Sequence, residues 1–543
     1  MKMPRVLLYG LLMLSAGRAQ MQPLPSAIDT TQGKDTLMTN DREQRNGDRP
    51  DSLAGNSMPF PRTTKVTIIE DRVFDLSAQP VDVAEKEMRT PTLGRRYEGA
   101  FLLPPKAFNS HLSVGFGNYT TPYVSGWIGT ASSLNELLLR GTYTSTKGSE
   151  EFRDARSAHA SLSARWYLSD SASFFPSGRI QASAALLSDR YRLYGSDTPQ
   201  HLRSFDRIES ALAVESHESS VQSLKIHLLN ATVEKQRETS ASLNLSFSTP
   251  LRSARIVGET EVWVDGRTRS LGSKTVWYSA LTLGGTARFG VVDVVVGIRA
   301  SYDEDELECG RGLVRPHARI VWFAAPSVTV FASFESSVMR RSFRHLVEAN
   351  PFVMVGAPLR NTDVVMNAAL GASIETWGML KASAVARLQR AHALPYFQAS
   401  HVRQFDVLYS GTSRTLSFEL DAYIETRGTL LGAKLTLQQS RLEEAFALLV
   451  PYAPRWRVVG SVKHAFAPQV RVGSEVRFLD ERFADAQNTR LLKAVPTWDA
   501  HIEYGERLFV RGEIINILDR SEGEWEGYGG ERRRVMLGLG YTW

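Results

Sequence analysis

Cysteine is almost missing from this 543-residue sequence, which contains only Cys309. A single cysteine excludes an internal disulfide, so the folded chain must be held together in another way. The 11 histidines are scattered, without HExxH or any other paired spacing. Zinc binding is therefore not indicated, and the spacing singles out no Ser, His and acidic set for catalysis. We predict neither an enzyme nor a cofactor.

Long apolar runs are missing as well. Beyond the first 19 residues, no uninterrupted apolar stretch approaches the roughly 20 residues that a transmembrane helix requires. The chain is 43% hydrophobic and 22% charged, which is too polar for a bundle of membrane helices. A strong excess of one charge is also absent. The formal net charge of +6 is evenly spread, so nucleic-acid binding is not predicted.

The N-terminal region divides into three segments. MKMPRVLLYGLLMLSAGRAQ has a basic start, an apolar run and small residues, which predicts a signal peptide over residues 1–19. An uncleaved anchor is the alternative, but the run is short for a spanning helix. Residues 20–62 are polar and aperiodic, which predicts a disordered periplasmic linker. Residues 63–108 contain the strand-like KVTIIE and are predicted to form a short ordered N-terminal arm.

Residues 109–543 are dominated by alternation of apolar and polar residues. In ASLNLSFS, residues 241–248, the odd positions are apolar and the even positions are polar. In QVRVGSEVRF, valines and a phenylalanine occupy one side, whereas Arg471, Glu475 and Arg477 occupy the other. A period of two residues predicts β-strands with two different faces.

The connections between these segments alternate in length. Short links such as 249–253 and 324–327 are interspersed with long polar links such as 266–274, 340–362 and 518–533. This alternation is typical of outer-membrane barrels, in which short turns lie at one end and long loops at the other. A soluble all-β fold is the alternative. A sheet can cross the hydrocarbon core only if it closes on itself.

The predicted fold class is therefore all-β, a single transmembrane antiparallel β-barrel over residues 109–543. Both termini of such a barrel face the periplasm, so the strand number is even, with about 22 as the best estimate and roughly 16 to 22 as the range. The predicted localisation is the cell outer membrane. The predicted partners are the lipid bilayer and the machinery that assembles barrels.

The C-terminus is unusual because the chain ends on a bulky aromatic residue of a strand. In RRRVMLGLGYTW, Tyr541 and Trp543 continue the apolar face. Aromatic side chains concentrate where lipid meets water. We predict that Tyr541 and Trp543 anchor the last strand at the membrane interface and form a C-terminal barrel signal.

Two loops offer candidate binding residues. The acidic stretch DEDELECGRG suggests a cation site with Asp303, Asp305 and Glu308 as weak candidate ligands, although a solvated loop is favoured. Trp525 and Tyr528, together with Phe352 in the apolar stretch HLVEANPFVMVGAPL, could contact a ligand or a partner protein. The alternative, which we favour for Trp525 and Tyr528, is packing of their loop over the barrel mouth.

Several segments carry a family resemblance. IINILDR with Asn516, the glycine-rich EWEGYGG and the terminal VMLGLGYTW resemble the closing hairpin of TonB-dependent outer-membrane receptors. HLVEANPFVMVGAPLRNTDVVMNAALGASIE resembles a mid-barrel loop and strand of these receptors. KVTIIED and LLPPKAFNSHLSVGFGNYTTP resemble the lead-in of a shorter, Bacteroidetes-type branch.

This resemblance implies an outer-membrane receptor or channel for nutrient uptake. The family carries an N-terminal plug, but residues 63–108 are too short for one and would be at most a plug remnant. No segment that docks TonB is found, so coupling to TonB is not predicted. Residues 63–108, the long loops or a partner protein would close the lumen. The alternative function is a non-transporting barrel subunit of a secretion, assembly or surface complex, bound to a periplasmic or surface partner.

Overall fold

The structure is a computed structural model. It describes residues 110–543 apart from residues 133, 170–171, 173–174, 217–218, 252–253, 270–271, 307–309, 377–379, 401, 427 and 444–447. The predicted signal peptide, linker and N-terminal arm over residues 1–108 lie outside the described residues. Cys309 and the candidate ligand Glu308 also lie outside them.

The described residues form a barrel from alternating segments of the kind that the sequence predicts. The first strands are β1 His111–Gly117, β2 Thr121–Ala131, β3 Asn135–Thr146, β4 Ala155–Tyr167, β5 Arg179–Arg192, β6 Leu202–Glu215, β7 Val221–Val233, β8 Gln236–Leu251, β9 Ala254–Arg269, β10 Gly272–Phe289, β11 Val292–Asp303, β12 Arg311–Ala325 and β13 Val328–Met339. The next elements are α1 Phe343–Ala349, β14 Thr362–Thr376, β15 Leu380–His392, β16 Pro395–Ala399, β17 Phe405–Tyr409, β18 Thr412–Thr426, β19 Thr429–Leu442, β20 Leu448–Leu449, β21 Trp456–Ala467, β22 Val470–Leu479, β23 Arg482–Phe483, β24 Leu491–Leu492, β25 Val495–Gly505, β26 Leu508–Ile515 and β27 Arg534–Thr542.

Every neighbouring pair in the barrel is antiparallel, and the sheet closes when β27 pairs with β1. In this last pair His111 is opposite Thr542 and Gly117 is opposite Met536. The barrel contains 22 strands, because β16–β17 and β23–β24 form separate hairpins and the short β20 only extends the edge of β19. The predicted class, antiparallel pairing, even number and best estimate of the strand count are confirmed.

The two ends of the barrel differ in their connections. Ser110 and Trp543 exchange backbone hydrogen bonds of 2.9 and 3.0 Å at one end, which we call the terminal end. Connections at this end include the two-residue turns 290–291, 326–327 and 468–469. The opposite end, which we call the loop end, carries the long connections 340–361, 393–411 and 516–533. The longest connections thus lie at one end, as predicted, although the loop end also carries the short turns 118–120 and 234–235.

One predicted long link was wrong. The stretch GRTRSLGSK, residues 266–274, lies almost entirely in β9 and β10, and the connection between these strands covers only 270–271. Lys274 pairs with Arg267 in the ladder, so the two strands continue to the turn. The terminal end also has one long connection that alternation does not predict, residues 168–178 between β4 and β5.

The two faces of the wall differ as the sequence pattern predicts. On β27, Val535, Leu537 and Leu539 are exposed on the outer face, whereas Arg534 and Met536 are buried on the inner face. Apolar residues that face outward suit a hydrocarbon environment, and charged residues are tolerated on the lumen side.

Charged residues of the inner face form ion pairs across neighbouring strands. Arg471 of β22 lies 3.2 Å from Glu503 of β25, and Arg511 of β26 contacts the same carboxylate at 2.9 Å. Arg477 lies 3.6 Å from Asp499. The predicted polar side of QVRVGSEVRF therefore lines the lumen.

Tyr541 and Trp543 lie at the terminal end of the last strand. Both side chains are about half exposed on the outer face, and their rings stack with 5.7 Å between the centroids. This is the position that a predicted interface anchor requires. Among the described residues, no helix has the length and the apolar character to cross a membrane.

Candidate functional site: the loop-closed mouth of the barrel

An aromatic cluster brings together several long connections at the loop end. Its buried members are Tyr191, Leu193, Tyr194, Phe352, Phe405 and Tyr528, with the half-buried Phe152, Phe397, Tyr452 and Trp525 packed against them. We call these residues the aromatic cap. They come from six connections and from the loop-end tip of β5. Aromatic rings bury large apolar areas, so a cluster of this size stabilises the joined loops.

The sequence candidates Phe352, Trp525 and Tyr528 all belong to this cap. Phe352 and Tyr528 stack with 3.6 Å between ring centroids and 15° between planes. Trp525 lies 4.7 Å from Tyr452 and meets Phe405 edge-on at 5.3 Å. The structure therefore brings the three candidates together, and it buries Phe352 and Tyr528 where no external ligand can reach them while the cap is closed.

Hydrogen bonds tie the cap to the loop backbones. The Tyr528 hydroxyl donates to the carbonyl of Arg403 at 3.1 Å, and the Tyr194 hydroxyl donates to the carbonyl of Gly529 at 3.2 Å. Burial raises the pKa of both phenols above the ordinary value near 10. Both groups therefore remain neutral donors at physiological pH.

The helix α1 fills the mouth beside the cap. Its apolar residues Phe343, Leu346 and Val347 pack on the inward-facing Phe205 of β6 and Val233 of β7. The helix begins after Ser342, whose side chain accepts a hydrogen bond from the backbone N–H of His345. The apolar stretch HLVEANPFVMVGAPL thus folds into the barrel mouth.

Arginines around α1 bind carboxylates of the barrel wall. Arg340 contacts Asp265 of β9 and lies over the ring of Trp263, with 4.0 Å from the guanidinium carbon to the ring centroid. Arg344 lies 3.4 Å from Glu209 of β6. Its backbone N–H also donates to Glu238 of β8 at 3.2 Å.

A wall arginine completes this network. Arg267 of β9 is buried and lies within 3.5 Å of Glu238 and Asp265 and 3.2 Å from Glu306. Buried charges of opposite sign that also form hydrogen bonds offset each other's desolvation. The charged network therefore fixes the helix against one side of the wall.

Arg203 joins the wall directly to the cap segment. Its side chain is almost fully buried and donates to the carbonyls of Pro351 and Val353 at 2.8 and 2.7 Å. The sequence analysis assigned no role to Arg203 or to Arg340 and Arg344. A signal existed for the last two, because RRSFRH places three arginines directly before an apolar stretch. No local signal marks Arg203.

Two of the acidic candidates, Asp303 and Asp305, accept hydrogen bonds from the end of the 340–361 connection. The side-chain amide of Asn361 donates to Asp303 at 2.7 Å, and its backbone N–H donates to Asp305 at 3.2 Å. Asp303 also lies 3.8 Å from Arg311. Within the described part of the chain, no group of three His, Cys, Asp or Glu residues is arranged to hold a metal ion. The structure thus uses Asp303 and Asp305 as hydrogen-bond acceptors for the 340–361 connection.

The fold and its closed mouth define a class, a 22-stranded transmembrane β-barrel capped by its own loops. No model of a protein family matches the sequence, and curated protein sequences give no match. Solved structures do match. The FrpB iron transporter from Neisseria meningitidis (F3-3 variant) is 11% identical, with 83% of each chain covered and a TM-score of 0.57.

Two further solved structures are similar to the same extent. The siderophore receptor PiuA from Acinetobacter baumannii is 10% identical over 81% of this chain and 82% of its own, with a TM-score of 0.57. The copper transporter OprC is 11% identical over 81% of both chains, with a TM-score of 0.56. At this identity the likeness shows the fold alone, which is the TonB-dependent receptor-like barrel that the sequence resemblance predicts.

Proposed function

We propose that this protein is an outer-membrane receptor or channel that takes up a nutrient through the loop end. The observation that carries the proposal is the aromatic cap, in which residues of six connections pack together at the mouth of a 22-stranded barrel by non-covalent contacts. Loops that are joined by packing and hydrogen bonds can separate when a ligand stabilises an open arrangement. The similarity of the fold to solved structures of an iron transporter and a copper transporter supports this function.

The proposal includes export by the leader and insertion with the loop end outward. Support comes from the short turns at the terminal end, since such turns face the periplasm in outer-membrane barrels. Protease added to intact cells should cut the connection 516–533 and leave the turn 468–469 intact. Cleavage of 468–469 in intact cells would contradict this orientation.

Uptake is tested by growth of a deletion strain on media that each limit one nutrient, including iron, siderophore-bound iron and copper. We expect a growth defect on at least one medium, which the wild-type gene restores. A direct uptake assay with the radiolabelled nutrient should show the same loss. Normal growth and uptake on every medium would contradict the transport proposal.

A second candidate is a non-transporting subunit of an outer-membrane complex. The tightness of the aromatic cap favours it, because Phe352 is 0% and Tyr528 is 1% exposed. Purification in mild detergent distinguishes the two candidates. A stoichiometric partner that stays bound without any nutrient, together with unaltered growth of the deletion strain, would favour the subunit.

A further inference from the structure

Three arginines on neighbouring strands form a row on the outer face of the barrel. Arg390 of β15 is opposite Arg414 of β18, and Arg414 is opposite Arg441 of β19. All three are exposed. We call them the arginine row. The strand period of two places them on the same face as Leu388 and Leu416, which lie one step below them on the outer wall.

The depth of the row follows from the register. A second row of outward-facing residues lies near the terminal end of the same three strands, where its members are directly opposite one another. On each strand, ten residues separate the arginine from the member of this second row. Its members are Leu380, Ile424 and Leu431. Ten residues of a strand tilted by about 40° rise roughly 25 Å, which equals the height of the apolar band of such barrels. Leu380, Ile424 and Leu431 are the last outward-facing apolar residues of these strands before their turns at the terminal end. We therefore infer that the arginine row lies at the boundary between hydrocarbon and lipid headgroups at the loop end.

Among the residues that the structure describes, few carboxylates compensate the positive charge of the row. Residues directly opposite each other on neighbouring strands have Cα atoms about 5 Å apart, so three adjacent guanidinium groups repel one another. Arg390 lies 2.9 Å from Glu443, and this pair is exposed. Elsewhere among the residues that the structure describes, no carboxylate forms an ion pair with Arg414 or Arg441. Among the described residues, the carboxylate of Glu443 is therefore the one counter-charge beside three arginines at the depth of the headgroups.

We propose that the arginine row binds the phosphate group of an anionic lipid in the leaflet at the loop end. Guanidinium groups bind phosphate through paired hydrogen bonds, and one phosphate shared by two or three arginines removes their mutual repulsion. The acyl chains of the same lipid lie against the apolar residues of the rows below. Leu388, Leu416, Phe418 and Leu437 provide this apolar surface.

A lone outward arginine elsewhere on the wall provides the contrast. Arg237 of β8 is also exposed, but its guanidinium donates to Asn230 at 3.3 Å, and its ladder partners are Thr232 and Thr268. A single interface cation is satisfied by water and a neutral neighbour. The arginine row differs because three like charges share one depth and one face.

The test is lipid binding by the full chain in a non-ionic detergent, measured by native mass spectrometry with short-chain phosphatidic acid as the probe. Phosphatidylcholine and inorganic phosphate are the comparison ligands. We expect wild-type protein to bind phosphatidic acid at least about tenfold more tightly than phosphatidylcholine, since each basic residue near a membrane surface contributes severalfold in affinity. Inorganic phosphate at the same concentration should not displace the lipid.

The variant Arg390→Gln/Arg414→Gln/Arg441→Gln should bind phosphatidic acid at least about tenfold more weakly than wild type. The matched control Arg237→Gln/Arg403→Gln/Arg533→Gln also removes three exposed arginines and should bind like wild type. If the first triple variant does not fold, the single variant Arg414→Gln is measured against Arg237→Gln. Equal binding by row and control variants, no preference of wild type for the anionic lipid, or displacement by inorganic phosphate would each overturn the proposal.

Discussion

The ring of Phe352 lies flat against the ring of Tyr528, with 3.6 Å between centroids. The first residue belongs to the connection that contains α1, and the second belongs to the final long connection before β27. Tyr194 meets both rings edge-on, at 6.4 Å from Phe352 and 5.3 Å from Tyr528. This pair is the centre of the aromatic cap, and through it the middle and the end of the chain close the same mouth.

Replacing Phe352 by alanine is expected to open the mouth. Truncation of a fully buried phenylalanine costs about 3 to 5 kcal/mol, and here the loss falls on contacts between loops rather than on the strand ladder. We expect increased entry of bulky antibiotics into cells, with an unaltered amount of folded barrel. The control is Tyr504→Ala, because Tyr504 is 67% exposed on the outer face and lies outside the cap. Equal permeability in the two variants would contradict the sealing role of the cap.

The contact between Arg340 and Asp265 is expected to hold α1 in place. Removing Arg340 takes away one of two cationic partners of the buried Asp265, which keeps Arg267 within 3.5 Å. The cost should therefore lie below the roughly 3 to 5 kcal/mol of a buried charge that loses its only partner. We expect Arg340→Gln to expose residues 340–361 to protease while the barrel stays folded. Asp265→Asn should have a similar effect, and the double variant should be less damaging than the sum of the two.

The control for this pair is Arg403→Gln. Arg403 is 71% exposed and lies 4.0 Å from Asp197, and an exposed pair contributes little. Protease protection of residues 340–361 in this variant should equal that of wild type. A strictly additive effect of the Arg340 and Asp265 substitutions would show that the two side chains do not interact.

His345 is expected to make the closed mouth sensitive to acid. Burial, followed by the charges of Arg344, Arg341 and Arg340, lowers the pKa of His345 from 6.5 to about 3. A histidine that binds a proton more weakly while α1 is packed in the mouth destabilises that packed arrangement once the pH falls below 6.5. Between pH 7.5 and 4.5 the closed arrangement should lose about 3 kcal/mol.

Hydrogen exchange of residues 343–349 measures this effect. Protection in wild type should fall as the pH is lowered to 4.5, after correction for the intrinsic exchange rate. His345→Gln retains a polar side chain beside Ser342 but does not titrate, so its protection should fall less. The same pH profile in both proteins would remove His345 as the source.

Loss of Trp543 is expected to impair barrel assembly. Its backbone exchanges two hydrogen bonds with Ser110 at the closing seam, and its ring stacks on Tyr541 at the proposed membrane interface. A chain that ends at Thr542 should give less folded barrel in cells, measured by the mobility of unheated samples on gels. Trp543→Phe keeps both the backbone bonds and an aromatic ring and should fold nearly normally. Normal yield from the truncated chain would contradict the anchoring role.

The sequence predicted the wall of the barrel well, because the wall repeats a local rule. In β22 and β27 every second residue must face lipid, so apolar residues recur at every second position of the sequence. The closing aromatic strand was visible for the same reason. The error at 266–274 arises where this rule weakens. Above the membrane both faces of a strand can be polar, so a strand such as the tip of β9 cannot be told from a loop by its pattern.

The sequence could also identify Phe352, Trp525 and Tyr528 as unusual, since large apolar side chains stand out in polar connections. It could not determine that Phe352 stacks on Tyr528 or that Arg203 binds the carbonyl of Val353. These contacts join residues that are far apart in the chain.

What the sequence determined by itself was the alternating wall and its lipid-facing surface, since these follow from the position of each residue relative to its neighbours. Only the tertiary structure decided which loops meet in the mouth and which arginines align on the outer face. Those relationships depend on the register between strands and on the circular closure of the sheet, and neither is encoded in any single segment.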